Sequence, residues 1–261
     1  LFIQVKKLFD PQEIFNPAGV YMGELAVERD PGDGWLYVRM GSISADMDFV
    51  APDAAGLYVH SAFNNQYNVS MEIFPISPMI SFGGVIGWTL PTDLQIKGGV
   101  YQLSPIRSDF DLRGWNWETQ GSDGLLGLVQ LDGSFGAQEE RTEICPPSDR
   151  TFSRHSSDCA QEVYNELPAG GWQVGSFMSN YADTDGAARE GNHAVYGNLT
   201  IPLSLPIGAG HRFWMSAIYG LQSERNPVPL WAAAGWMTQG LFAQRPFDLL
   251  LVAASWSQFS F

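Results

Sequence analysis

Along most of the chain, apolar and polar residues alternate one by one. Residues 192–204 show it best: His193, Val195, Gly197, Leu199, Ile201 and Leu203 fall on one side, and Asn192, Ala194, Tyr196, Asn198, Thr200 and Ser204 on the other. A side-chain period of two predicts a strand with one apolar and one polar face. The same alternation places Leu36, Val38 and Met40 opposite Trp35, Tyr37 and Arg39. It sets Leu94, Ile96 and Val100 against Asp93, Gln95, Lys97 and Tyr101, and Leu125, Val129 and Leu131 against Gln130, Asp132 and Ser134. Strands are predicted at 1–6, 20–29, 35–43, 81–90, 93–103, 124–135, 171–181, 192–204, 212–222, 230–242 and 248–259. Pro, Gly and Asn clusters mark the breaks between them. No convincing helix period, internal repeat or linker appears, so one β domain spans 1–261.

Strands of this kind leave two architectures. One is a soluble β-sandwich or barrel; the other is a transmembrane antiparallel barrel, with its apolar face on lipid and its polar face on a wet lumen. Strand length favours the second. Several predicted strands reach ten or more residues, whereas a globular strand averages about five or six and a tilted membrane strand needs about nine to eleven. Tight turns at 31–34, 91–92, 206–211 and 243–247 alternate with longer connections over most of the chain, as in barrels with short periplasmic turns and long outer loops. Trp88, Trp172, Trp214 and Trp231 fall near strand ends, where interfacial girdle residues belong.

Composition narrows the picture. Aromatic residues make up 13% and charged residues only 16%, low for a water-facing surface. The formal net charge of -14 argues against a nucleic-acid partner, which needs a basic face. No apolar run approaches the roughly 20 residues of a membrane helix, so a membrane protein of this sequence must be a barrel. The chain starts at Leu1 with no visible signal peptide, which predicts a mature chain or a fragment. Two cysteines, Cys145 and Cys159, sit in a polar insertion at 137–169. One disulfide there suits an oxidising compartment; two free thiols are the alternative.

Several short segments, in order, resemble the carbohydrate-selective porins (OprB family) of the bacterial outer membrane. These are Gly23-Glu24-Leu25, residues 34–41 (GWLYVRMG), 54–63 (AAGLYVHSAF), 167–171 (LPAGG) and, most specific, 240–248 (GLFAQRPFD). The resemblance implies a sixteen-stranded barrel, of which this chain supplies about ten to twelve strands. It implies passive diffusion of small sugars or other small solutes, with no cofactor, no metal and no catalysis. The surroundings would be outer-membrane lipid and lipopolysaccharide, and a homo-oligomer is among the candidate partners. Phe261 resembles the terminal phenylalanine of outer-membrane proteins.

On the faces predicted to line the lumen lie Glu24, Glu28, Arg39, Gln95, Lys97, Tyr101, Gln130 and Asp132. Such groups tune charge and solute selectivity. Tyr37, Tyr101, Trp115 and Trp117 are the candidate aromatic faces for sugar rings, the last two from a loop at 104–123 folded inward. Generic lumen lining is the competing reading for each. Histidines 60, 155, 193 and 211 are scattered, and no nucleophile elbow, paired zinc spacing or phosphate loop occurs. Asp46 with Asp48, and Asp183 with Asp185, are solvated acidic turns or Ca²⁺ ligands.

Counting strands from the tight turns puts the 137–169 insertion on the short-turn, periplasmic side. There a Cys145–Cys159 disulfide would pin it and a periplasmic partner protein could dock. One missed strand would make it an ordinary outer loop. The alternative function, from another class, is a secreted soluble β-sandwich that binds or cleaves glycans.

Overall fold

A computed structural model describes residues 2–8, 21–29, 35–46, 48–50, 52–58, 75, 80–92, 94–103, 123–135, 167–180, 192–207, 210–226, 228–242, 245 and 248–260. They form eleven strands: β1 Phe2–Leu8, β2 Tyr21–Arg29, β3 Leu36–Ile43, β4 Ser81–Thr89, β5 Leu94–Leu103, β6 Gly124–Phe135, β7 Gly170–Ser179, β8 Asn192–Leu203, β9 Gly210–Gly220, β10 Leu230–Gln239 and β11 Leu249–Gln258. A single helical turn, α1 Asp53–Gly56, lies between β3 and β4.

All eleven strands belong to one sheet in strict sequence order, β1 through β11. Every described neighbour pair is antiparallel. A single up-and-down sheet excludes the two stacked sheets of a sandwich. The longest strands, β6 and β8, have 12 residues each, enough for a tilted bilayer crossing.

The two faces invert the arrangement of a soluble protein. Large apolar side chains stand exposed on one face: Met40, Ile86, Val100, Val129, Val174, Met178 and Val252, with Val129 at 61%. On the other face, polar and aromatic side chains are buried: Arg39, Gln130, Asn198, Ser216, Tyr101, Tyr196 and Trp214. Water-exposed surfaces do not select this pattern; a lipid-facing outside and a polar inside do. In β8, Val195 is exposed while Asn198 and Thr200 are buried, as the alternation predicts.

Because the strands alternate in direction, their connections alternate between the two ends of the sheet. Connections 30–35, 90–93, 204–209 and 240–248 share one end; 44–80, 104–123, 180–191 and 221–229 share the other. The 136–169 connection joins β6 to β7 and so departs from the short-turn end.

Candidate functional site

The inner face is occupied by the chain that follows β3. Residues 44–58 turn onto it, with Phe49 N–H donating to the Ala45 carbonyl at 3.0 Å and Ala45 N–H to the Pro75 carbonyl at 2.7 Å. Phe49, Ala45, Ala54 and Ala55 are buried. Their small or apolar side chains let this inner segment pack on the sheet.

Asp48 anchors it. The Arg39 guanidinium donates to Asp48 Oδ2 at 2.8 Å, Tyr37 donates to Oδ1 at 3.2 Å, and Lys97 Nζ donates to the Asp48 carbonyl at 2.7 Å. Burial raises the Asp48 carboxyl above its ordinary value; the charge and hydrogen bond of Arg39, the Tyr37 hydroxyl and Lys97 pull the other way. Lys97 also pairs with Asp132 at 2.9 Å and lies 5.9 Å from the centre of the Phe49 ring, within cation–π range.

Val50 follows with φ 51°, a left-handed conformation that a β-branched residue rarely adopts. Its N–H donates to Gln130 Oε1 at 2.9 Å, and the same oxygen accepts from Tyr196 Oη at 2.6 Å. Gln130 therefore ties the inner segment to β6 and β8. At the far end of the segment, Tyr58 accepts from Trp214 Nε1 at 2.9 Å and donates to the Val252 carbonyl at 3.3 Å. The segment thus bridges the interior, from β3, β5 and β6 to β9 and β11.

Room for it depends on Gly99. A Cβ there would lie 2.7 Å from the Phe49 ring, closer than real side chains pack. Tyr101 meets Phe49 edge-on at 6.3 Å.

Of the residues predicted for the site, Gln95 bonds Thr89 near the short-turn end, and the rest divide three ways. Tyr37, Arg39, Lys97, Tyr101, Gln130 and Asp132 converge around Asp48, Phe49 and Val50. Glu24 and Glu28 lie on β2, where their backbone partners are Lys6 and Arg39. Trp115, Trp117, Cys145, Cys159, Asp183 and Asp185 fall outside the described residues, as does the 137–169 insertion apart from 167–169.

Two expectations change. Asp48 is neither a solvated turn residue nor part of a metal cluster; among the described residues no group of three metal-binding side chains occurs, and Asp48 is buried against Arg39. Trp214 and Trp231 are not girdle residues: at 1% and 0% exposure both are enclosed, Trp214 by its contact with Tyr58. Trp88, by contrast, is exposed. The loop expected to fold inward, 104–123, lies outside the described residues apart from Asp123; a segment found on the inner face is 44–58, after β3. Reasoning from sequence missed it, although Phe49 and Val50 beside paired aspartates in a connection were a signal of burial.

A single up-and-down sheet with an apolar outer face, a polar inner face and a loop packed on that inner face has the pattern of a porin-type barrel wall. The model of the carbohydrate-selective porin, OprB family, matches residues 3–260, and the chain belongs to that family. Its place is the outer membrane. Among solved structures it is similar to the high-pH structure of Pseudomonas putida OprB, with a TM-score of 0.67 and 13% identity. The match covers 94% of this chain and 56% of that one, so this chain spans little more than half the length of that relative. No curated protein sequence matches significantly.

Proposed function

We propose that the protein is a passive pore for small neutral sugars and similar solutes, with the inner segment 44–58 narrowing the channel. The carrying observation is the buried cluster on the inner face. Arg39 and Lys97 contribute two positive charges, and Asp48 and Asp132 two negative ones, in direct contact. A constriction balanced in this way favours neither anions nor cations. The family match supports the solute class.

The eleven strands are read as an arc of a larger closed barrel, which suits the 56% coverage of the solved relative. No chemical conversion and no cofactor are part of this reading. Tyr37, Arg39, Lys97, Tyr101 and Asp132 act at the constriction, and Glu24, Glu28 and Trp115 line the pore elsewhere. Residues 137–169, pinned by Cys145–Cys159, form a periplasmic extension able to dock a partner protein.

The test is uptake of a labelled monosaccharide into liposomes carrying the full-length protein. The reading expects fast equilibration down the gradient with the sugar recovered unchanged. Exclusion of the sugar, or its recovery as a modified product, would count against it.

A further inference from the structure

Between the inner segment and the short-turn end of the sheet lies a cleft of about 350 Å³. That is the small end of the roughly 300–1,000 Å³ typical of small-molecule sites, and it suits a single sugar ring better than a chain. Its walls are Gln95 of β5, Asp132 of β6, Gln173 of β7, and Asn198 and Thr200 of β8, with Pro52 of the inner segment on the facing side.

The polar groups here are only partly spent. Asn198 Nδ2 donates to Gln173 Oε1 at 2.9 Å, and Asn198 Oδ1 accepts from Ser216. Gln95 Nε2 donates to Thr89 Oγ1 at 3.1 Å. Asp132 is occupied by Lys97 at 2.9 Å and by Gln130 Nε2 at 2.5 Å. What is left there, among the described residues, includes the amide N–H pair of Gln173, the amide oxygen of Gln95 and the Thr200 hydroxyl, with the Ser134 hydroxyl and the Trp172 indole N–H also on the wall.

Donors and acceptors thus stand side by side in one cleft, where the one carboxylate among the described lining residues is already paired. Among the described lining residues an anion or cation finds no unpaired countercharge. A neutral polyol does find what it needs, since each hydroxyl both donates and accepts.

We propose that this cleft is a second subsite of the channel, which holds one monosaccharide between the Arg39–Asp48 constriction and the short-turn mouth. Gln173 and Thr200 donate to the sugar hydroxyls and Gln95 accepts from them. The inference rests on the sugar-porin reading and adds a location and three recognition residues to it. Few, neutral hydrogen bonds give a site weak enough to empty again, as conduction requires.

The test is glucose-induced blocking of ion current through the full-length protein in planar bilayers, with Thr200→Val and Gln173→Met as separate variants. Thr200→Val keeps the shape and removes a hydroxyl that has no described partner, so it leaves the fold's own bonds in place. Each sugar dissociation rate is compared with the wild type, and each current is normalised to that channel's own open level. Loss of one neutral hydrogen bond predicts about two- to tenfold faster glucose release in each variant. If wild type is blocked by glucose and both variants release it at the wild-type rate, the subsite is wrong while the porin reading stands. If glucose never blocks the wild-type channel although liposomes carrying it take glucose up, the subsite is wrong; if those liposomes exclude glucose, the porin reading fails and the subsite with it.

Discussion

Arg39 and Asp48 are nine residues apart and meet as a buried ion pair at 2.8 Å, each side chain only 7% exposed. The pair fastens the inner segment to β3, the strand that leads into it. Asp48→Ala leaves the guanidinium buried without its partner. Removing one member of a buried pair costs about 3–5 kcal/mol. The expected outcome is a correspondingly lower urea midpoint in lipid vesicles; a variant as stable as wild type would mean that the pair is not buried in the membrane-embedded protein.

The outer face offers a second test. Val129 is 61% exposed near the middle of β6. In a bilayer, Val129→Arg should cost roughly 2–4 kcal/mol, as charges do on the lipid face near the midplane. On a water-facing surface the same change would fall within about 0.5 kcal/mol. Refolding into vesicles, measured by denaturant titration, separates the two values.

Two adjacent glycines should behave differently. A Cβ on Gly98 would come no closer than 3.9 Å to anything described, whereas one on Gly99 would meet the Phe49 ring at 2.7 Å. Gly99→Ala is expected to lose about 1–3 kcal/mol through overpacking and to loosen the inner segment; Gly98→Ala should do neither. Parallel stability curves with protease sensitivity of residues 44–58 give the comparison, and equal effects at the two sites would refute the placement of Phe49.

The alternation made the strands legible. For β6 the expected and observed bounds coincide at 124–135, and for β8 they differ by one residue, because each strand keeps nearly all its polar residues on one face. β9 begins two residues earlier than the alternation predicts, since Gly210 and His211 carry no apolar signal. The girdle assignment failed at Trp214 because its neighbours Phe213 and Met215 are also apolar. Alternation cannot orient a run of three large apolar residues; the contact with Tyr58 does. Of the site, the strand-borne half (Arg39, Lys97, Gln130, Asp132) could be read from parity. The half carried by Asp48, Phe49 and Val50 could not, because a connection has no period, and its position is fixed by partners up to 80 residues away.

Proton binding should bear on the inner segment. Burial raises the Asp48 carboxyl in the seated segment, while a released segment carries an ordinary carboxylate. The seated state then binds the proton more tightly. Seating strengthens as pH falls from the raised value to the ordinary one, and weakens as pH rises through the raised value. A thiol placed by Gly56→Cys, at a position with nothing within 4 Å of the added Cβ, reports on this. Its labelling should slow between neutral pH and about pH 4, after correction for thiolate content, and Asp48→Asn should abolish the change. Faster labelling in acid would show that the lost attraction to Arg39 outweighs the burial cost.

The most direct measurement of the central claim is the size limit for sugars, read by liposome swelling with full-length wild-type protein and with Asp48→Ala. Wild type should pass monosaccharides quickly and larger oligosaccharides slowly, as a channel narrowed by residues 44–58 would. Asp48→Ala should shift that limit toward larger sugars as the segment leaves its seat on Arg39, Tyr37 and Lys97. Identical limits in the two proteins, or no swelling with any sugar, would contradict a sugar channel narrowed by this segment.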